Sequence, residues 1–85
     1  MRLDQLPLRS RATVSAIDWA HLGEADARRL RNLGFDEGVE VQALHHGPVG
    51  RDPMAVRLGN RMTVAIRRAH ARAVSLAVEE VASAA

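Results

Sequence analysis

Leu30-Arg31-Asn32-Leu33-Gly34-Phe35-Asp36-Glu37-Gly38-Val39-Glu40-Val41 carries the change of period that decides the fold of this 85-residue chain. Upstream of the change, Leu22, Ala25, Leu30 and Leu33 fall on one face of a helix predicted over Leu22 to Leu33, and Glu24 is spaced to pair with Arg28. Arg29, in the last turns, complements the negative end of the helix dipole. Gly34 stands where a left-handed residue would stop the helix. From Gly38 the period falls to two, with Val39 and Val41 expected inward and Glu40 and Gln42 outward. The alternation lapses at Ala43-Leu44, where a bulge would turn the strand.

Working outward, residues 1–11 read as a turn that tucks Leu3 and Leu6 under the core. The run Ala12 to Trp19, with Thr13, Val14 and Ile17, reads as a strand. Downstream, Gly47 to Pro53 reads as a loop. Met54, Val56 and Leu58, then Met62, Val64 and Ile66, alternate on either side of Gly59-Asn60, the signature of a two-residue hairpin turn. Met54 and Met62 are expected in the core. After Arg68 two readings stay open. Ala69 to Ala73 favours helix, whereas Val74, Leu76 and Val78 alternate as a last strand would. Residues 79–85 read as a short C-terminal helical extension. One domain over residues 1–85 is predicted, mainly β: a small barrel closed on itself, with one inserted helix.

Composition narrows the function. Hydrophobic residues make up 47 % and charged residues 26 %, a soluble globular balance, and there is no cysteine for a disulfide, a thiolate metal site or a thiol nucleophile. No apolar run approaches the roughly 20 residues of a membrane span, and Met1 to Ser10 lacks a signal-peptide core, so a cytoplasmic location without membrane insertion is expected. The pI near 11.0 reflects twelve basic residues that are all arginine, with no lysine or tyrosine to titrate at high pH. Net charge is only +2, and one Trp with one Phe supplies little stacking surface, so nucleic acid is not the expected partner.

The quoted stretch resembles the L-x-x-L-G-(apolar)-x-x-G-x-x-V signature of the FeoA family of ferrous iron transport proteins. Gly47-Pro48-Val49-Gly50-Arg51-Asp52-Pro53 is similar to that family's P-L-G-D-P segment, with Arg51 as an extra residue between Gly50 and Asp52. Arg57, Met62-Thr63-Val64-Ala65-Ile66-Arg67-Arg68 and Leu3-Asp4-Gln5-Leu6-Pro7 also fit, so the likeness spans residues 2 to 79. The resemblance implies an SH3-like β-barrel with a helix inserted between its first two strands. It also implies an accessory, non-enzymatic role beside FeoB, the GTPase-linked Fe(II) transporter. The family's domain is similar to the C-terminal module of DtxR-type repressors, but no helix-turn-helix lies in this sequence.

Candidate sites follow at two levels. A partner surface is expected from Phe35, Pro48, Gly50, Arg51, Asp52, Arg57, Arg67 and Arg68, where an aromatic anchor and bidentate arginines would meet an acidic partner. Phe35 divides between that role and a core plug, and Trp19 belongs to the core. The nitrogen ligands are His21, His45, His46 and His70; His45 and His46, adjacent on a strand, leave on opposite faces and cannot chelate one ion together. No cofactor is expected, and the histidines read as surface groups able to take adventitious Zn or Fe(II). A metal shared between two chains would make the monomer a weak dimer. No serine sits in a nucleophile elbow, and no base–nucleophile pair can be named, so no enzyme is expected. The alternatives are an arginine-rich barrel on nucleic acid and a metal-responsive regulatory module.

Overall fold

Strands β1 (Arg11–Ile17), β2 (Glu40–Val49), β3 (Asp52–Leu58), β4 (Met62–Ile66) and β5 (Val74–Val78) form one antiparallel sheet in the order β4-β3-β2-β1-β5. They are drawn from a computed structural model that describes residues 1–50, 52–59 and 62–78, the side chains of Pro48, Val49 and Val78 excepted. Two helices, α1 (Trp19–Leu22) and α2 (Glu24–Leu33), fill the connection between β1 and β2, and α3 (Arg68–Ala71) joins β4 to β5. A 3-10 turn, Leu3–Gln5, precedes the sheet. Leu3, Leu6, Val14, Leu30, Phe35, Val41, Met54, Val56 and Val74 form the centre of a single core.

The helix stop is built as the sequence predicts. Gly34 adopts φ 109°, its N–H donates to the Arg31 carbonyl at 3.0 Å, and the Phe35 N–H donates to the Leu30 carbonyl at 3.0 Å. This pair of bonds is a Schellman motif, in which the residue after the left-handed one packs back against the helix. Phe35 and Leu30 are accordingly both 1 % exposed. The bulge in β2 also lies where the alternation lapses: Ala43 pairs with Val56 and His45 with Ala55, leaving Leu44 as the extra residue.

Several expectations are corrected. The single helix from Leu22 is two, broken at Gly23, and the Asp18 side chain accepts the His21 N–H at 3.1 Å to start the first of them. Trp19 is therefore helical rather than the end of β1. Ala27 and not Ala25 faces the core. Gly47 to Pro53 is no loop, because β2 runs on to Val49 and β3 begins at Asp52. A side chain at Gly47 would strike the Asp52 carbonyl group and lie 2.8 Å from the Pro53 oxygen, so glycine there lets the two strands approach. Met62 is 48 % exposed, at the end of β4 rather than in the core. Leu58 pairs with Met62, which places three positions in the hairpin connection instead of two. Beyond Arg68 the helical turn and the final strand both form. The extension over residues 79–85 lies outside the described residues.

Closure of the expected barrel is incomplete in hydrogen-bonding terms. Among the described residues no ladder joins β4 to β5. The N-terminus covers the outer edge of β5, through a bridge between Arg2 and Ser75 and a bond from the Leu76 N–H to the Met1 carbonyl at 2.6 Å. The outer edge of β4 carries no strand among the described residues.

Candidate functional site

The beginning of β3, the end of β4 and α3 meet at one corner. Asp52 Oδ1 accepts the Arg68 backbone N–H at 2.9 Å. Arg67, the residue before α3, contributes no side-chain cap, so a carboxylate sixteen positions away satisfies the first free donor of the helix. The Arg68 Nη2 donates to the Asp4 carbonyl oxygen at 3.1 Å. Asp4 is itself buried, and its carboxylate takes Arg2 Nε at 2.9 Å, Arg2 Nη2 at 3.2 Å and Arg72 Nε at 3.9 Å. Arg68 thereby ties the N-terminal turn to α3 through Nη2, while its buried Nη1 has no hydrogen-bond partner among the described residues. Arg67, next to it, is exposed.

Arg67 lies between two hollows. On one side an open cleft of about 270 Å³ is lined by Asp52, Pro53 and Arg67. On the other, a cavity of about 30 Å³ is lined by Arg29, Leu30 and Leu33 of α2, by Ala65 and Ile66 of β4, and by Arg67 and His70. A space of that size holds about one water or one small apolar group, far below the roughly 300 Å³ at which small-molecule pockets begin. His70 Nε2 stands 3.2 Å from Asp26 Oδ2 and links α3 to α2 beside this cavity. A third hollow, about 450 Å³ and open, is edged by Trp19, Arg31, Gly34, Phe35 and Asp36. There the Arg31 guanidinium lies 4.4 Å from the centre of the half-buried Trp19 ring, a cation–π contact.

The expected partner residues thus divide. Asp52, Arg67 and Arg68 come together, while Phe35 is a core plug and its ring offers no surface anchor. Arg57 faces outward on β3, four residues from Pro53 and so about 13 Å along the strand. Gly50 is exposed beside the β2–β3 turn; Arg51 and the Pro48 side chain lie outside the described residues. The histidines are dispersed: His21 on α1, His45 outward on β2, His46 half-buried opposite Met54, and His70 on α3. Among the described residues no three or more His, Asp or Glu gather as a metal site. Asp26, Arg29 and Leu33 were missed as site residues. Their i, i+3, i+7 spacing puts them on one face of α2, of which the sequence reading took Leu33 for core packing and Arg29 for the helix dipole.

No helix among the described residues is long and apolar enough to cross a membrane. The FeoA domain family model matches residues 1–78. Among solved structures, the chain is similar to FeoA of Stenotrophomonas maltophilia complexed with zinc, at 39 % identity over 91 % of this chain and 89 % of that one, TM-score 0.76. That protein is described as a procaryotic SH3 domain protein and a candidate ferrous iron transport activating factor. FeoA of Chlorobium tepidum is 32 % identical over 92 % of this chain and 70 % of that one, TM-score 0.77. A manganese-dependent transcriptional repressor shares the fold alone, at 17 % identity over 93 % of this chain and 41 % of that one, TM-score 0.73. No protein of curated function matches the chain.

Proposed function

The chain belongs to the FeoA family, SH3-like domains linked to ferrous iron transport, and from that membership we propose that it is a cytoplasmic accessory protein that docks on a FeoB-type Fe(II) transporter and modulates it. The observation that carries this reading is the family match over residues 1–78. The corner around Arg67 supports it, because two hollows flank an exposed guanidinium and the smaller one suits a side chain better than a metabolite. Arginine pairs bidentately with carboxylates and is enriched among the residues that anchor interfaces.

The test is capture of the soluble GTPase domain of such a transporter by the full chain. Wild type and Arg11→Glu, an exposed position on β1, should retain the domain, and Arg67→Glu and Arg51→Ala should lose most of it. Equal capture by all four removes this surface, and no capture by wild type removes the docking role. Nucleic acid is the competing partner class, and steep salt dependence of binding to generic duplex would favour it.

A second reading concerns metal. His70 and Asp26 are two of the four ligands that a tetrahedral zinc site takes, and a second copy of the chain would supply the other two. The S. maltophilia relative is described as complexed with zinc. Zinc should then convert monomer to dimer in size-exclusion runs, chelator should reverse it, and His70→Ala should abolish it.

A further inference from the structure

We propose that the outer edge of β4, together with the groove between it and α2, receives an extended acidic segment of a partner protein as an added strand. The proposal rests on the docking role above only in taking the partner to be a polypeptide.

Free strand edges are normally blunted by charge, proline or a covering segment. The far edge of β5 is covered by Met1 and Arg2. β4 has no such cover among the described residues, and Met62-Thr63-Val64-Ala65-Ile66 contains neither a charge nor a proline. Ala65 is exposed and Ile66 is buried, so their side chains leave opposite faces of the strand, yet both line the same cavity. A cavity lined from both faces lies against the edge of the strand. Its other wall is α2, through Arg29, Leu30 and Leu33. An incoming strand would hydrogen-bond along β4 and drop a small apolar side chain toward Leu30, Leu33 and Ile66.

Charge selects the occupant. Arg67 follows β4 in the sequence, Arg57 pairs with Thr63 across the ladder, and Arg29 lines the groove. Among the described residues neither Arg29 nor Arg67 stands in an ion pair. The nearby carboxylates are occupied, Asp26 with His70 and Asp52 with the Arg68 N–H. An added strand presents alternate side chains to the groove and to the outer face, so the fitting segment alternates small apolar with acidic residues.

The probe is a capped hexapeptide of alternating valine and glutamate, titrated into the ¹⁵N-labelled full chain and followed by amide shifts and hydrogen exchange. Shifts should concentrate in Met62 to Ile66 and Leu30 to Leu33, with exchange slowed in β4. The double variant Arg29→Glu/Arg67→Glu, its native spectrum checked first, should bind about tenfold more weakly or worse. A peptide N-methylated at alternate backbone amides keeps the side chains but cannot pair, and should not bind. Equal binding by the N-methylated peptide or by a lysine counterpart overturns the proposal, as do shifts elsewhere or none. Protection of β4 that rises with protein concentration without peptide overturns it in favour of self-pairing. A failed peptide titration beside successful capture of the GTPase domain would condemn this edge and leave the docking role standing.

Discussion

His70 on α3 and Asp26 on α2 meet at 3.2 Å, a pairing between residues 44 positions apart that holds the inserted helix pair against the β4–α3 corner. The Asp26 side chain is 45 % exposed, so water screens much of the interaction and its coupling should be about 0.2–1 kcal/mol. A double-mutant cycle of Asp26→Ala and His70→Ala in urea melts measures it. Strictly additive losses would mean that the contact contributes no stability.

The Asp52 carboxylate provides the N-terminal cap of α3 from another strand, so its removal should act on the corner and leave the hairpin register intact. Asp52→Ala should cost about 0.5–2 kcal/mol, the range for losing a helix cap, and Asp52→Asn should cost less because its amide oxygen still accepts. Hydrogen exchange at Arg68 and at Ala71 should quicken in the alanine variant. Unchanged exchange there would show that the cap does not hold the turn.

Much of the fold is legible because its local signals are strong and cooperate. The Leu33-Gly34 stop, the switch to period two after Gly38 and the lapse at Ala43-Leu44 each specify a backbone event found in the structure. Two readings failed, and a third stayed open, for nameable reasons. The Gly47 to Pro53 run looks like loop from composition, yet Gly47 serves close strand approach and Pro53 is the second residue of β3. Asp18 and Gly23 cut one apparent helix into two, since a cap and a positive φ outweigh apolar periodicity. Phe35 was divided between surface and core although it occupies the position of a Schellman motif that packs on the helix, and that placement was readable from Leu30 and Gly34. The site was less legible. Arg67 is distinguished from Arg68 by which one reaches the Asp4 carbonyl, a contact across 64 positions that no local pattern encodes.

Two glycines should respond to alanine for different reasons. At Gly34 the added methyl would sit 3.6 Å from Leu58 Cδ1, an ordinary contact, so the cost is the left-handed backbone and should be about 1–2 kcal/mol. At Gly47 the methyl would meet the backbone of Asp52 and Pro53, which cannot rotate away, so the paired strands must separate. Gly47→Ala should therefore destabilise more than Gly34→Ala and shift the amides of β2 and β3. Equal melting points for the two variants would refute the distinction.

Phe35 offers the sharpest separation of folding from docking. Its ring is 1 % exposed, and truncation to alanine leaves a cavity that costs about 3–5 kcal/mol for a buried aromatic. A domain of this size has a total stability on the order of 5 kcal/mol, so Phe35→Ala should be largely unfolded at 37 °C. Phe35→Leu keeps an apolar group at the same place in the Schellman motif and should stay folded with a loss smaller by about half. If the ring only plugs the core, the folded leucine variant captures the transporter domain as wild type does. Loss of capture by a leucine variant whose spectrum remains native would mean that the ring reaches the partner after all, through the hollow it shares with Trp19 and Arg31.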